Sequence, residues 1–213
     1  MGPRGRLITI EGVEGAGKST LIGGLEAALI ARGHRVLTLR EPGGTRAGDR
    51  IRALLLDADI RLSSRAELLL FCASRAQLVE TVILPALAQG QIVLCDRFID
   101  SSVAYQGAGR GLGEVVVDGL NQFATGGLCP DMTLYLDLPL EVGLERARVR
   151  RGDDRDDRFE GEALQFHHTV RAGFERLVQG DPQRFRRLDA NQTPEQVLRA
   201  ALQALPTELL EAP

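Results

Sequence analysis

No run of about eighteen consecutive apolar residues occurs in the 213-residue chain, so the sequence displays no evident membrane-spanning segment. The opening stretch MGPRGRLITI is too briefly apolar for a signal peptide, and a cytoplasmic protein that avoids membranes is expected. Cysteine is scarce. Cys72, Cys95 and Cys129 stand far apart with no C-x-x-C pair, which argues against a metal knuckle or a secreted disulfide framework and leaves them as buried small hydrophobes. Positive charge is not in excess either: the net charge is −3, and no global basic field points to nucleic acid. Repeats, low-complexity tracts and Pro/Ser-rich linkers are missing, and residues 1–213 are expected to form a single domain. A guanine-reading N-K-x-D motif is missing too, since the asparagines are only Asn121 and Asn191, each followed by glutamine.

What is present alternates. Strand-like runs at 6–11, 35–40, 91–95, 132–138 and 184–188 are separated by helical patterns, which predicts a parallel sheet with helices on both faces. Such sheets bind ligands beyond the carboxyl ends of their strands, so the residues following each run are the ones to inspect.

The first of these is the most informative. Gly12-Val13-Glu14-Gly15-Ala16-Gly17-Lys18-Ser19 fits G-x-x-x-x-G-K-[ST] at every fixed position. Glycines let successive backbone N–H groups turn inward around phosphate oxygens, the lysine reaches the outer phosphates, and the hydroxyl takes Mg²⁺. The strand Leu7 to Ile10 precedes the loop, and Leu21, Ile22, Leu25, Ala28 and Leu29 follow it at helical spacing as far as Gly33. That order places amide donors and the positive end of a helix dipole at one point.

Two further groups add chemistry. Asp96-Arg97 follows the third strand run, where a carboxylate can hold a divalent cation and a guanidinium can bridge phosphoryl groups. Ser101, Ser102, Tyr105 and Gln106 come next, at the mouth of the same site. Arg40, Arg46, Arg50 and Arg52 crowd the segment after the second strand run. Phe71 and Arg75 lie one helical turn apart on one face, offering a planar base a stacking surface and a fork of donors. On an apolar helix such a phenylalanine is more often a core residue.

Together, IEGVEGAGKST, REPGGT, FCASRAQLVE, DRFIDSSVAYQGAGRG, PDMTLYLDL and GLERARVRRGDDRDDRFE resemble the bacterial thymidylate kinases, a P-loop nucleoside monophosphate kinase family, from about residue 7 to 160. The resemblance implies a P-loop NTPase fold, a five-stranded parallel sheet surrounded by helices, and a homodimer that converts ATP and dTMP to ADP and dTDP with Mg²⁺. It implies that Gly12 to Thr20 cradle ATP, with Lys18, Ser19 and Thr20 on the phosphates, Ser19 and Asp96 serving the metal, and Glu14 facing the acceptor's sugar hydroxyl. Glu41, Pro42 and Gln106 would line the acceptor pocket, Arg52 and Arg97 grip its phosphate, and Phe71 and Arg75 take thymine. Ser102 and Tyr105 would border base and deoxyribose, with Tyr105 crowding a 2′-hydroxyl. Phe98 stands where the family often has tyrosine or histidine. Another P-loop nucleotide or nucleoside kinase, or a nucleotide-dependent switch protein, is the alternative.

Positive charge for the transferring phosphoryl must come from outside the loop, whose variable positions Val13 to Ala16 hold no arginine. The charged run Arg146 to Glu162 is therefore expected to supply a short arginine-rich lid at about 146–160. Arg148, Arg150, Arg151 and Arg155 are its candidates, with Arg150, Arg151 and Arg155 the catalytic ones; a solvated helix end is the plain alternative.

Overall fold

A computed structural model describes residues 4–151, 159 and 162–211. Five strands form one parallel sheet: β1 (Arg6–Glu11), β2 (Val36–Arg40), β3 (Ile92–Asp96), β4 (Met132–Asp137) and β5 (Phe185–Asp189), in the order β2-β3-β1-β4-β5. The three central strands, β3, β1 and β4, are rich in β-branched and aliphatic residues because both their faces are covered. In β1 all but Arg6 are buried, and Ile10 lies between Asp96 of β3 and Leu134 of β4. Each strand lies within a residue of its expected bounds, and Asp96 proves to be the last residue of β3 rather than the first beyond it.

The helices are α1 (Lys18–Ile30), α2 (Arg46–Leu56), α3 (Ser64–Leu78), α4 (Leu84–Ala88), α5 (Ile99–Ser102), α6 (Glu114–Thr125), α7 (Leu140–Arg151), α8 (Leu164–Gly180) and α9 (Pro194–Ala204). Local chemistry sets several starts: Thr45 and Ser63 cap α2 and α3 through their hydroxyls, and Thr193 with Gln196 forms a reciprocal cap on α9. Leu21, Ile22, Leu25 and Leu29 of α1 join Val197 and Ala201 of α9 in a core on one sheet face. Leu78, Val79, Ile83 and Leu87 build the core on the other, against Leu7, Val93 and Cys95.

The helical stretch Ser64–Ala88, which runs through π-helical backbone at Val79–Ile83, has the length and mean hydropathy of a membrane-crossing segment. No unbroken apolar run had marked it, because Arg75 interrupts. Glu67 and Arg75 within it are buried and bonded to protein groups, so it serves the interior of the fold. Cys72 and Cys95 are buried as expected, but Cys129 is exposed in the connection entering β4, where a lone small residue between Leu128 and Pro130 has no packing to join.

The chain begins in the middle of the sheet, passes through β2 and β3 on one side and crosses to β4 and β5 on the other. The order reverses at the carboxyl ends of β1 and β3. A crevice opens at such a point, and the phosphate-loop motif and Asp96-Arg97 both end there.

Candidate active site

The loop 12–17 joins β1 to α1, and α1 begins with no side-chain cap because Gly17 occupies the capping position at φ 93°. The first N–H groups of the helix are left for an anion. Gly15 and Gly143 meet backbone to backbone: a Cβ on Gly15 would stand 2.0 Å from the Gly143 carbonyl oxygen, and one on Gly143 2.5 Å from that of Glu14. Lys18 folds back over the loop, its Nζ donating to the carbonyls of Gly12 (3.1 Å) and Val13 (3.0 Å). Burial, and then the nearby Arg97 guanidinium, push its ammonium down to about 8.

A cavity of about 510 Å³ adjoins the loop. Of the residues singled out from the sequence, Glu14 to Thr20, Glu41, Pro42, Arg52, Phe71, Arg75, Asp96, Arg97, Ser102, Tyr105 and Gln106 all line it. Gly12 and Val13 lie beneath, Val13 as part of the core behind the loop. Arg40, Leu56, Phe98, Ser101 and Phe159 complete the wall. The arginines after β2 divide: Arg40 and Arg52 face this cavity, whereas Arg46 and Arg50 face a separate surface hollow with Gln77. Arg150 and Arg151 end α7, and only their backbone is described; Arg155 lies outside the described residues.

Arg97 organises the acceptor side. Its φ of 69° is left-handed, a conformation that costs a residue with a Cβ roughly 1–2 kcal/mol. Its guanidinium donates to Glu14 Oε1 (3.0 Å) and Ser101 Oγ (3.1 Å) and lies over the Tyr105 ring, 5.0 Å from the centroid. The Tyr105 hydroxyl donates to the same Glu14 oxygen at 2.6 Å. Burial opposes ionisation of Glu14, but Arg97, Lys18 and Tyr105 outweigh it and hold its carboxyl below the ordinary value. Burial pushes the Tyr105 phenol well above its ordinary value, so it remains a donor. Tyr105 and Gln106 owe their direction to π-helical backbone over Val103–Gly109, a register slip common near functional sites and invisible to sequence periodicity. Glu67 on α3 fixes Gln106 from behind, accepting from its Nε2 at 2.8 Å.

Phe71 and Arg75 reach the cavity from one face of α3, as their spacing required. Arg75 is nevertheless 1% exposed, and four of its five N–H groups are committed to protein: Nε to Glu41 Oε2 (2.8 Å), Nη1 to Asn121 Oδ1 (2.6 Å), Nη2 to Phe98 O (3.0 Å) and Ser102 Oγ (3.1 Å). Its partner Glu41 is 3% exposed, and burial raises that carboxyl to about 6 against the pull of Arg75. Arg75→Ala should therefore do more than remove a ligand donor. Leaving the buried Glu41 unpaired should cost about 3–5 kcal/mol, seen as a fall in Tm of about 10 °C or more. An unchanged thermal unfolding curve would refute this structural share of its role.

Asp96 Oδ1 is buried without a hydrogen-bond partner and shares the cavity with Ser19. An unmatched carboxylate oxygen beside a phosphate loop suits a divalent cation. No cluster of three acidic, His or Cys groups occurs among the described residues, so phosphates and water would supply the remaining ligands, as Mg²⁺ prefers. Sequence reasoning missed Glu11, wholly buried behind Arg97, whose carboxyl is pushed up to about 7 by burial first and the Asp100 carboxylate second. It also missed His167, whose Nδ1 lies 3.8 Å from Glu14 Oε2, and Asn121. All three act on residues 22–153 positions away, and no local motif carries that information.

Known proteins resemble this chain over most of its length. A family model described as thymidylate kinase matches residues 10–201. The thymidylate kinase of Desulfovibrio desulfuricans is 53% identical over 205 residues, covering 92% of this chain and 94% of that one. That of Deinococcus radiodurans is 50% identical over 205 residues, covering 96% and 98%. The crystal structure of thymidylate kinase from Ehrlichia chaffeensis superposes with a TM-score of 0.77 at 31% identity, covering 96% of this chain and all of that one.

Proposed function

Because the chain belongs to the thymidylate kinase family, whose members phosphorylate dTMP to dTDP with ATP as donor, we propose that the cavity beside the phosphate loop holds both nucleotides, end to end, on the residues described above. One observation carries this: the phosphate loop with Lys18 and the Phe71–Arg75–Arg97–Tyr105 group share one continuous wall. ADP formation from ATP should depend on dTMP. Equal turnover without any acceptor would point to a nucleotide switch, and a preference for another nucleoside monophosphate or a nucleoside to a different P-loop kinase.

In this reading the loop amides, Lys18 and Thr20 hold the donor phosphates. Ser19 and Asp96 would hold Mg²⁺, which supplies charge neutralisation for the phosphoryl oxygens. Arg52 and Arg97 grip the acceptor phosphate while Glu41, Pro42 and Gln106 shape its pocket. Phe71 stacks on the base, and the remaining Nη1–H of Arg75 donates to its carbonyl edge beside Ser102. Glu14, kept ionised by Arg97, Lys18 and Tyr105, accepts from the sugar hydroxyl through its unbonded Oε2. Orientation of the two phosphates, rather than covalent chemistry by the protein, is what these groups contribute.

Tyr105 sets the sugar preference by volume. Tyr105→Ala should raise the kcat/KM of the ribose counterpart relative to dTMP on the order of 10-fold, the loss of one steric contact in a pocket. Tyr105→Phe, which keeps the ring and loses only the bond to Glu14, should keep the ratio. An unchanged ratio in the alanine variant would remove Tyr105 from sugar selection.

We read residues 1–213 as one kinase domain that works as a cytoplasmic homodimer. Val116 and Phe123, seven residues apart on α6, are 58% and 88% exposed, and Leu69 on the neighbouring α3 is 56% exposed. An apolar face of this kind supports self-association. Sedimentation at twice the 23.1 kDa chain mass is the expected result, and sedimentation at the single-chain mass would overturn the dimer.

A further inference from the structure

Glu11 ends β1, is wholly buried, and lines no part of the cavity. Its hydrogen bonds go to one short turn. Oε1 accepts from the backbone N–H groups of Phe98 (2.8 Å) and Ser101 (3.2 Å), and Oε2 from the Ser101 hydroxyl (2.6 Å). Immediately before that turn stands Arg97, the only non-glycine residue with positive φ among those described. Such a conformation persists only where its surroundings over-determine it. Here β1 holds the N–H side: the Ile10 carbonyl accepts from Arg97 N–H at 3.1 Å, and Glu11 takes the next available N–H and the one three residues on, while the Arg97 and Phe98 carbonyls accept from the Cys95 thiol (3.1 Å) and Arg75 Nη2 (3.0 Å). The restraint extends to the side chain. Ser101 Oγ donates to Glu11 and accepts from Arg97 Nη1, so one hydroxyl ties the buried carboxylate to the guanidinium.

We propose that Glu11 is the positioning residue of Arg97, clamping the 97–101 turn so that the left-handed backbone is held and the guanidinium is aimed at Glu14 and the acceptor side of the cavity. This rests on the reading of Arg97 as the grip on the acceptor phosphate. Two alternatives for the carboxylate fit less well. As a metal ligand it would need an oxygen open to the cavity, yet both oxygens accept hydrogen bonds and the residue is 0% exposed. As a filler of β1, any aliphatic residue would serve, yet such a residue would strand two buried N–H groups.

The test is a double-mutant cycle on the full chain with Glu11→Gln, Arg97→Ala and both together, reading kcat, KM for dTMP, KM for ATP and Tm. Glutamine keeps an oxygen for the two N–H groups but cannot accept from Ser101 with its amide nitrogen. Glu11→Gln alone should lower kcat/KM for dTMP at least 10-fold and leave the ATP KM within about 2-fold. In the Arg97→Ala background the same change should cost less than about 2-fold. A merely structural role would lower Tm and reduce activity equally in both backgrounds, and equal penalties would overturn the proposal while leaving Arg97 in place. A neutral Arg97→Ala single variant would overturn the acceptor reading of Arg97 and the proposal with it. Should Glu11→Gln fail to fold, Ser101→Ala removes the linking hydroxyl alone. It is expected to show the same non-additivity with Arg97→Ala, and additivity would overturn the proposal.

Discussion

Replacing Lys18 by alanine should lower the turnover of dTMP on the order of 10²–10³-fold or more, the penalty for removing one preorganised charge from a site of developing negative charge. Lys18 is the only lysine in the chain, so no second ammonium can swing into its place. Its Nζ touches only the loop carbonyls of Gly12 and Val13, and it contributes nothing to either core, so the fold should survive with Tm nearly unchanged. Kinetics and calorimetry on the same preparation separate the two effects. Near-normal turnover in a stable variant would remove Lys18 from the reaction.

The second large effect belongs to the arginine-rich segment. The loop positions Val13 to Ala16 carry no cationic group, and an arginine that stabilises the transferring phosphoryl is worth about 10³-fold or more. Arg146 is already bound to the Ala190 carbonyl at 3.1 Å. Arg148 is exposed in an i,i+3 pair with Glu145, an interaction too weak in water to restrain it. Alanine at Arg148, Arg150, Arg151 and Arg155 in turn should single out one residue whose loss lowers kcat strongly with little change in ATP dissociation constant, the pattern of a contact made mainly in the transition state. The acidic neighbours Asp153, Asp154, Asp156 and Asp157 offset the segment's charge and would limit how firmly it could hold ATP. If the four single variants and the quadruple variant keep kcat within a few-fold, the segment is a solvated helix end.

What could be read from the sequence was whatever a short stretch specifies by itself. The phosphate loop is such a case, because its glycines, lysine and hydroxyl act within eight residues and the flanking β-branched and helical patterns fix their setting. Phe71 and Arg75 were placed on one face by the helix repeat alone. The central strands were found because a doubly covered sheet demands continuous apolar runs. The arrangement that ties up Arg75 was not legible: it joins Glu41, Phe98, Ser102 and Asn121 from four separate elements or connections, and only the folded topology gathers them. The π-helical turn holding Tyr105 and Gln106 escaped for a different reason, since a one-residue slip leaves no mark in a 3.6-residue pattern. Cys129 was misjudged because cysteine usually packs inside, whereas here a loop position overrides the residue's habit.

The contact between Gly15 and Gly143 makes the donor site and α7 one mechanical piece. With no side chain between them to flex or change rotamer, the joint has no cushion, and a shift of the loop backbone is handed on to the helix undiminished. From Gly143 to Arg151 the helix extends about 12 Å, at about 1.5 Å per residue, so a tilt of about 5° at the joint moves its far end by about 1 Å. That end is where the arginine-rich segment departs. Arrival of phosphates in the loop would in this way be felt as leverage at the root of the arginine-rich segment, and a single added methyl group at either glycine would act as a wedge that decouples the two.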